Sequence, residues 1–190
     1  MGNVIYSMMV SLDGFIARPN GDLDWVNIDD ELHRFANERE RNVGAHLYGR
    51  RMYETMAAHW PTADQNPDAH EVEVEFALLW QQMPKVVYST TLERVDWNAR
   101  LVRDVVADEV NALKAASDAD MSVSGASIAA TFMQLDLIDT FQFYLQPVIL
   151  GEGIPLFQSP DATRNLRLVE THTFASGVVF LHYQRTDTGT

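Results

Sequence analysis

The sequence contains no cysteine. This absence excludes disulfide bonds, a thiolate nucleophile and every zinc site built on cysteine, and we predict that the protein holds no metal ion. The sequence also lacks an apolar run long enough for a signal peptide or a membrane span, and no basic flank precedes its first apolar residues. We therefore expect a cytoplasmic protein that does not act at a membrane.

Lysine is scarce as well, because Lys85 and Lys114 are the only two. The formal net charge is −13, which argues against nucleic acid or an anionic membrane surface as a partner. Almost all positive charge comes from arginine, whose planar guanidinium binds phosphate through paired hydrogen bonds. The adjacent residues Arg50 and Arg51 are therefore candidate phosphate ligands.

The chain has 190 residues, of which 46% are hydrophobic, and this suits one domain across residues 1–190. Apolar runs predict buried strands, and longer amphipathic segments predict helices between them. The predicted strands are 4–10, 45–48, 85–88, 101–102, 121–123 and 140–145, and the predicted helices are 30–42, 71–82, 106–116 and 128–135, followed by a hairpin of 166–173 and 178–185. This order predicts a three-layer α/β fold with a mixed, mostly parallel central sheet, helices on both faces and an antiparallel C-terminal hairpin.

Two strand-to-helix turns have the residues of an anion site. In one, a strand leads through Ser124 and Gly125 into a helix, and in the other Gly49 leads into Arg50. The free N–H groups of a helix N-terminus and the positive end of its dipole stabilise a phosphate. Two alternatives stay open: serine and glycine are ordinary caps, and the arginine pair faces solvent or forms an ion pair with Glu54.

Hydroxyl groups follow the third predicted strand, at Ser89 and Thr90. Ligands bind at the carboxyl ends of strands in open α/β sheets, although ordinary turn chemistry explains these hydroxyls equally well. The loop of residues 11–25 is long for a connection in a compact domain, which favours a functional, mobile segment. A surface excursion without a role is the alternative.

Asp29 and Asp30 stand at the start of the first predicted helix. Carboxylates there cap a helix and suit its dipole, so both residues are explained as caps. In the functional alternative, Asp30 or His33, one turn later, faces a cleft and binds a polar heterocycle. A single histidine on a helix is more often only partly buried.

Several segments, taken in order, resemble the dihydrofolate reductase-like family, in the branch typified by the C-terminal reductase domain of bifunctional riboflavin-biosynthesis proteins. The resemblance extends from Val4 to Arg185, and the order of the motifs carries it rather than any single one. The motifs are Ser11-Leu12-Asp13-Gly14 with Ile16-Ala17, Asp24-Trp25, Gly49-Arg50-Arg51-Met52-Tyr53-Glu54, Pro84-Lys85-Val86-Val87-Tyr88-Ser89, Ser124-Gly125-Ala126, Leu137-Ile138-Asp139, and residues 147–153 with Leu156-Phe157.

The resemblance implies that NADPH binds along the carboxyl ends of the strands. The implied cofactor contacts are Gly49, Arg50 and Arg51 at the adenosine-ribose phosphate, Ser89 and Thr90 beside the adenosine, Gly125, Ala126, Ser127 and Ile128 at the pyrophosphate, and Met9, Ile16 and Ala17 around the nicotinamide. The same resemblance implies that Trp25 and Asp30 border the substrate, and His33 is a further substrate-binding candidate.

The activity implied is hydride transfer from NADPH to a C=N or C=O bond of a small heterocyclic substrate, as in the 5-amino-6-(5-phosphoribosylamino)uracil reductases of riboflavin biosynthesis. The protein aligns donor and acceptor and supplies a proton, for which Asp30 and Asp13 are the candidates and Asp29 could replace Asp30. Two departures concern the central turn, Ser124-Gly125 instead of Gly-Gly, and the segment 49–54, which looks more like dihydrofolate reductases. A dihydrofolate reductase acting on a pterin and a non-catalytic nucleotide or pterin binder stay as alternatives.

The C-terminal half predicts a homodimer, because it is more apolar than the edge of a monomer should be. Reductases of the riboflavin branch also dimerise through this part of the fold. The residues concerned are Phe141, Phe143, Leu145, Val148, Ile149 and the run 178–181. The alternative is that they fill the core of one chain.

Overall fold

The computed structural model describes residues 1–158 and 162–186. Its elements are β1 (Val4–Ser11), β2 (Phe15–Ala17), α1 (Asp30–Glu40), β3 (Val43–Gly49), α2 (Arg50–His59), α3 (Glu71–Gln82), β4 (Lys85–Tyr88), β5 (Ala99–Val102), α4 (Ala107–Ala116), β6 (Asp120–Ser124), α5 (Ala126–Gln134), β7 (Thr140–Gln146), β8 (Ile154–Pro155), β9 (Leu166–Thr173) and β10 (Val179–Arg185). In these residues, no helix has the length and apolar character needed to cross a bilayer.

Eight strands form one sheet in the order β5-β4-β3-β6-β1-β7-β10-β9. The pairs from β5 to β7 are parallel, whereas β10 is antiparallel to both β7 and β9. This arrangement confirms the predicted three-layer α/β fold with its antiparallel C-terminal hairpin. Because the six parallel strands point the same way, their carboxyl ends lie along one edge of the sheet.

Helices cover both faces of the sheet. On one face α5 is the main contributor, with Phe132 fully buried in the largest apolar cluster. On the other face Leu32 of α1 packs with Tyr144 and Phe180, and Tyr53 of α2 packs beside β3 and β4. Burial of a side chain such as Phe132 stabilises the fold by roughly 1.5–3 kcal/mol relative to exposure.

A second, two-stranded sheet joins β2 to β8 and was not predicted from the sequence. The loop of residues 11–25 therefore contains a strand, and its first part is bound to the segment after β7. A Cβ atom at Gly153 would stand 2.3 Å from the carbonyl oxygen of Ala17 and 3.0 Å from Cβ of Phe15. Glycine at position 153 is what lets the two segments approach.

The residues expected to form a dimer interface differ in their burial. Phe141, Phe143, Val178 and Phe180 are buried in the core of one chain, which is the alternative considered for them, whereas Ile149 is 69% exposed. The reason is the strand order: β9 lies outside β10 and forms the sheet edge. The dimer itself stays a prediction, to which the exposed apolar side chains of β9 are relevant.

Candidate active site

Three predicted cofactor segments meet at the carboxyl edge of the sheet. Gly49 ends β3, Ser89 directly follows β4, and Gly125 directly follows β6. These strands are neighbours, and their registers bring Gly49 opposite Tyr88 and Tyr48 opposite Ser124. Residues that are up to 76 positions apart in the numbering are thus brought to one edge.

The helices that start at this edge have uncapped N-termini. Gly49 is the N-cap of α2 and Gly125 is the N-cap of α5, and neither helix has a side-chain cap or an acidic residue in its first turn. In contrast, α1 begins with Asp29 and Asp30, α4 has two acidic residues in its first turn, and α3 has a capping box. The amide groups of α2 and α5 are therefore suited to an anion from outside the chain.

Gly125 adopts a backbone conformation that L side chains rarely take, with φ of 112°. The peptide bond between Ser124 and Gly125 is trans. The Gly125 amide donates to the Met8 sulfur at 3.3 Å, and the Ser127 hydroxyl donates to the Gln158 side chain at 3.1 Å. Sequence reasoning missed Met8, which lies in a run of apolar residues without any local sign of this contact.

Arg50 and Arg51 differ in their surroundings, although both are exposed. Arg50 donates to Glu54 at 3.0 Å and to the Thr91 hydroxyl at 2.9 Å, so the ion pair considered from the sequence is present. Arg51 makes no hydrogen bond or ion pair with another described residue. Its guanidinium keeps all of its donors free at the start of α2.

Ser89 and Thr90 also differ. The buried Ser89 hydroxyl accepts hydrogen bonds from the backbone amides of Thr91 and Leu92 at 3.2 and 3.0 Å. These bonds are the turn chemistry that was considered as the alternative. Thr90 is exposed at the same edge, so it can reach a ligand without breaking a contact.

The middle of the central strand is accessible, which is unusual for a strand with neighbours on both sides and helices on both faces. Ser7, Met8 and Met9 are each only half-buried. Beside them the Ser124 hydroxyl donates to the Ser7 carbonyl oxygen at 3.1 Å. Residues 7–9 of β1 are thus partly exposed next to the anion sites, and Ser7, the only polar residue in its apolar run, was the available signal.

Asp13 ties two loops together at this edge. Its carboxylate accepts the Ser11 hydroxyl at 2.7 Å, the Gly151 amide at 2.7 Å and the Leu150 amide at 3.1 Å. The Ser11 hydroxyl, followed by the two amides, keeps the pKa of this exposed carboxyl below its usual value. In the structure, the Asp13 carboxylate thus holds two loops together, and its catalytic role stays a prediction.

Ile16 and Ala17 are buried in β2, whereas the segment that follows is exposed and contains the ion pair of Arg18 with Asp24, at 2.6 Å. Trp25 is half-buried, and its indole N–H is inaccessible and has no hydrogen-bond partner among the described residues.

The segment after Trp25 is anchored to the sheet. The backbone amide of Asn27 donates to the side-chain oxygen of Gln146 at 3.1 Å. The Gln146 amide nitrogen in turn lies 3.7 Å from the Met9 sulfur. These contacts connect the end of the 11–25 loop to the accessible part of β1.

The two aspartates at the start of α1 have different contacts. Asp29 accepts the Leu32 amide at 2.8 Å and is the N-cap. Asp30 instead lies 3.0 Å from Nδ1 of His70, the N-cap of α3. The more exposed carboxylate is therefore Asp30, and it faces α3 rather than capping its own helix.

His33 lies on the same side of α1, where its ring approaches Trp60 at 6.0 Å and Phe76 at 5.8 Å between centroids. Burial lowers the pKa of His33, and the nearby carboxylates oppose this only in part. Asp30 and His33 thus line the side of α1 that faces α2 and α3. In the part of the chain that the structure describes, no three His, Asp or Glu side chains form a group suited to a metal ion.

The sheet order and the helices on both faces are those of the dihydrofolate reductase-like fold. The chain belongs to the family of RibD C-terminal domains, whose family model matches residues 3–180. It is 36% identical over 183 residues to the uncharacterized protein YyaP of Bacillus subtilis (strain 168), which covers 95% of this chain and 93% of that protein.

Solved structures support the same fold. A putative riboflavin biosynthesis protein from Shewanella sp. PV-4 superposes with a TM-score of 0.73 at 22% identity, covering 97% of this chain and 99% of that one. A dihydrofolate reductase from Enterococcus faecalis, in complex with NADP(H) and RAB-propyl, superposes with a TM-score of 0.65 at 13% identity and 98% coverage of both chains. At these identities the likeness establishes the fold.

Proposed function

We propose that the protein is an NADPH-dependent reductase that transfers a hydride to a C=N or C=O bond of a small heterocyclic substrate. The observation that carries the proposal is the pair of uncapped helix N-termini, at Gly49 and Gly125, beside the accessible middle of β1. Two anion sites next to this partly exposed strand segment suit a dinucleotide whose phosphates bind at the helices and whose ring lies against β1.

The residues at this edge fit NADPH. Free amides at the starts of α2 and α5 would hold phosphate groups, and the free Arg51 guanidinium suits the additional phosphate that distinguishes NADPH from NADH. Gly125, with φ of 112°, presents no side chain toward this site. When bound, the nicotinamide supplies the hydride, and Met9 with the β2 residues Ile16 and Ala17 would flank its ring.

The protein's part in the chemistry is to orient the substrate, exclude water and deliver a proton. In this proposal Asp30, half-exposed and paired with His70, holds or protonates the heterocycle, and His33 supports it from the next turn. Trp25 carries an indole N–H without a partner, which a substrate carbonyl would satisfy once the loop rearranges. Asp13 connects the loop after β1 to the segment after β7, because its carboxylate accepts the backbone amides of residues 150 and 151.

Two substrates deserve a direct comparison. One is the ribosylamino-uracil named for a structural neighbour from Thermotoga maritima, a deaminase and 5-amino-6-(5-phosphoribosylamino)uracil reductase, of which this chain spans 57%. The other is dihydrofolate, favoured by the arginine-bearing segment 49–54 and by the superposition on the Enterococcus enzyme. We place the uracil derivative first because the family is that of RibD C-terminal domains.

The test is oxidation of NADPH by the purified protein in the presence of each substrate, with simple carbonyl compounds as a third group. Transfer is checked with NADPH deuterated at carbon 4 and mass spectrometry of the product. We expect deuterium in the reduced uracil derivative. Deuterium found only in tetrahydrofolate, the product from dihydrofolate, would favour the second candidate. Tight NADPH binding with no product from any of the three groups would contradict a reductase and indicate a binding protein.

A further inference from the structure

A cavity lies at the opposite edge of the sheet from the candidate active site. Its volume is about 530 Å³, and its wall includes Ala45 of β3, Val86 of β4 and Met121 of β6. These residues lie at the amino-terminal ends of their strands. Four residues along β4, or roughly 13 Å, separate this edge from Ser89. The cavity has the size of a small-molecule pocket.

The floor of the cavity is apolar, and the residues that form it belong to the main core cluster. Val86 and Met121 are buried members of that cluster, and Ala45 and Leu113 of α4 pack against it. A thioether such as that of Met121 makes favourable contacts with aromatic rings. The floor therefore suits the flat apolar body of a ligand and offers it no hydrogen bond.

The rim carries one arginine that has no ion pair or hydrogen bond with a described residue. Arg100 of β5 lines the cavity and is exposed. Within residues 1–158 and 162–186 it makes no ion pair or hydrogen bond, and the one carboxylate of the lining, that of Asp96, is not paired with it. An unpaired guanidinium beside an apolar floor binds a carboxylate well, because both N–H groups of its fork can donate at once. In a chain with a net charge of −13, the positive charge of Arg100 provides a local attraction for an anion.

The aromatic residue on the rim is held in place by a strained turn. Trp97 and Asn98 have φ values of 62° and 54°, in the left-handed region that is unfavourable for residues with a side chain. The buried Lys85 imposes this turn, since its ammonium donates to the Trp97 carbonyl at 3.0 Å and its backbone amide donates to the Asn98 carbonyl at 3.0 Å. The Asn98 side chain adds a bond to the Gln82 carbonyl at 2.7 Å.

The turn has a consequence for binding. The Lys85 ammonium also donates to the carbonyls of Trp80 and Met83, so its three donors are used and none remains for a ligand. Trp97, in contrast, lines the cavity and is 46% exposed. Residues in rare backbone conformations cluster at ligand sites, and a partly exposed aromatic ring supplies a large apolar contact surface.

We propose that this cavity binds a small aromatic carboxylate, with its ring between Trp97 and the apolar floor and its carboxylate on Arg100. This site is separate from the candidate active site and does not depend on the proposed reductase activity.

The probe for the test is 2-naphthoate, titrated into the full-length protein by calorimetry, with its uncharged amide as the matched ligand. We expect naphthoate to bind at least about tenfold more tightly than the amide, and Arg100→Gln to remove that difference. Arg94→Gln, in the connection that precedes β5 and outside the lining, should bind naphthoate like the unmodified protein. Both arginines are exposed, and circular dichroism checks that each variant folds.

The location is tested by repeating the titration with saturating NADPH. A naphthoate affinity that NADPH does not change supports a separate cavity. Quenching of tryptophan fluorescence by naphthoate that is lost in Trp97→Phe assigns the ring contact to Trp97. Equal affinity for naphthoate and its amide, an Arg100→Gln variant that binds naphthoate normally, or complete displacement by NADPH would each overturn the proposal.

Discussion

Arg50 donates a hydrogen bond from Nη1 to the Thr91 hydroxyl at 2.9 Å, across 41 residues of sequence. The bond joins the first turn of α2 to the loop that follows β4. The guanidinium is therefore fixed above two adjacent strand ends, where it also donates to Glu54. Arg51, next to it, has no such restraint, so the two arginines provide one positioned and one free cation at the edge.

Cofactor preference is the first prediction from this pair. Replacing Arg50 and Arg51 together by alanine should weaken NADPH by about tenfold or more and NADH much less, because each charge-assisted contact with phosphate contributes ~1.5–3 kcal/mol. Calorimetry with both cofactors measures this, and Arg34→Ala, an exposed arginine of α1, is the control. Equal affinity of the unmodified protein for NADPH and NADH would contradict the assignment.

The loop of residues 11–25 is predicted to act as a lid, and the structure narrows the mobile part to residues 18–25. Asp13 holds the beginning of the loop through the amides of Leu150 and Gly151. Asp13→Ala should therefore accelerate hydrogen exchange of both amides, while Asp104→Ala, at an exposed carboxylate without such bonds, should not.

Binding of NADPH with a substrate analogue should slow amide exchange in residues 18–25 and change the fluorescence of Trp25, because closure excludes water from the hydride path. A Trp25→Phe variant identifies the tryptophan signal. Exchange and fluorescence that stay the same at saturating ligand would disprove the lid.

The pH dependence of stability should contain a contribution from His33. Its folded-state pKa is lowered by burial, so the unfolded chain binds more protons as the pH falls through about 6.5. The free energy of unfolding must then decrease on acidification. His33→Phe keeps a ring against Trp60 and Phe76 but cannot be protonated, so its stability relative to the unmodified protein should rise as the pH falls from 7 to 5. Denaturant titrations at several pH values test this, and a constant difference would refute it.

Dimerisation remains a prediction, and its expected interface is now β9. Leu166, Leu168 and Val169 are exposed on this edge strand, and an unpaired apolar edge is readily covered by a second copy. A two-fold interface of ~800 Å² per partner would suffice. Light scattering should give twice the 21.5 kDa mass of one chain.

Leu168→Lys should reduce that mass to one chain, because a charge would be buried in the interface. Leu78→Lys on α3 is the matched control, since the two leucines are 48% and 44% exposed. A single-chain mass for the unmodified protein at micromolar concentration would rule out the dimer.

Local signals in the sequence were sufficient for most of the fold. Short apolar runs located β3, β4 and β6, and Gly49 and Gly125 indicated the turns that follow β3 and β6. The small sheet of β2 and β8 escaped prediction because its partners are almost 140 residues apart and each is too short to have a periodicity. The bonds from Asp13 to residues 150 and 151 were hidden for the same reason.

The burial of Phe141 and Phe180 shows a second limit. Their apolar character is plain from the sequence, but whether they lie inside a chain or between two chains depends on which strand occupies the edge. That is decided by the pairing of β10 between β7 and β9, which no local pattern encodes. The partial exposure of Ser7, Met8 and Met9 likewise depends on where the covering helices end.

The proposed reductase binds the NADPH phosphates at the N-termini of α2 and α5. A crystal structure of the protein grown with NADPH tests this binding site. We expect pyrophosphate oxygens within hydrogen-bond distance of the backbone amides of residues 126–128, and the additional phosphate beside Arg50 or Arg51. Cofactor bound elsewhere, for example in the cavity beside Trp97, with the starts of both helices contacting only solvent, would contradict it.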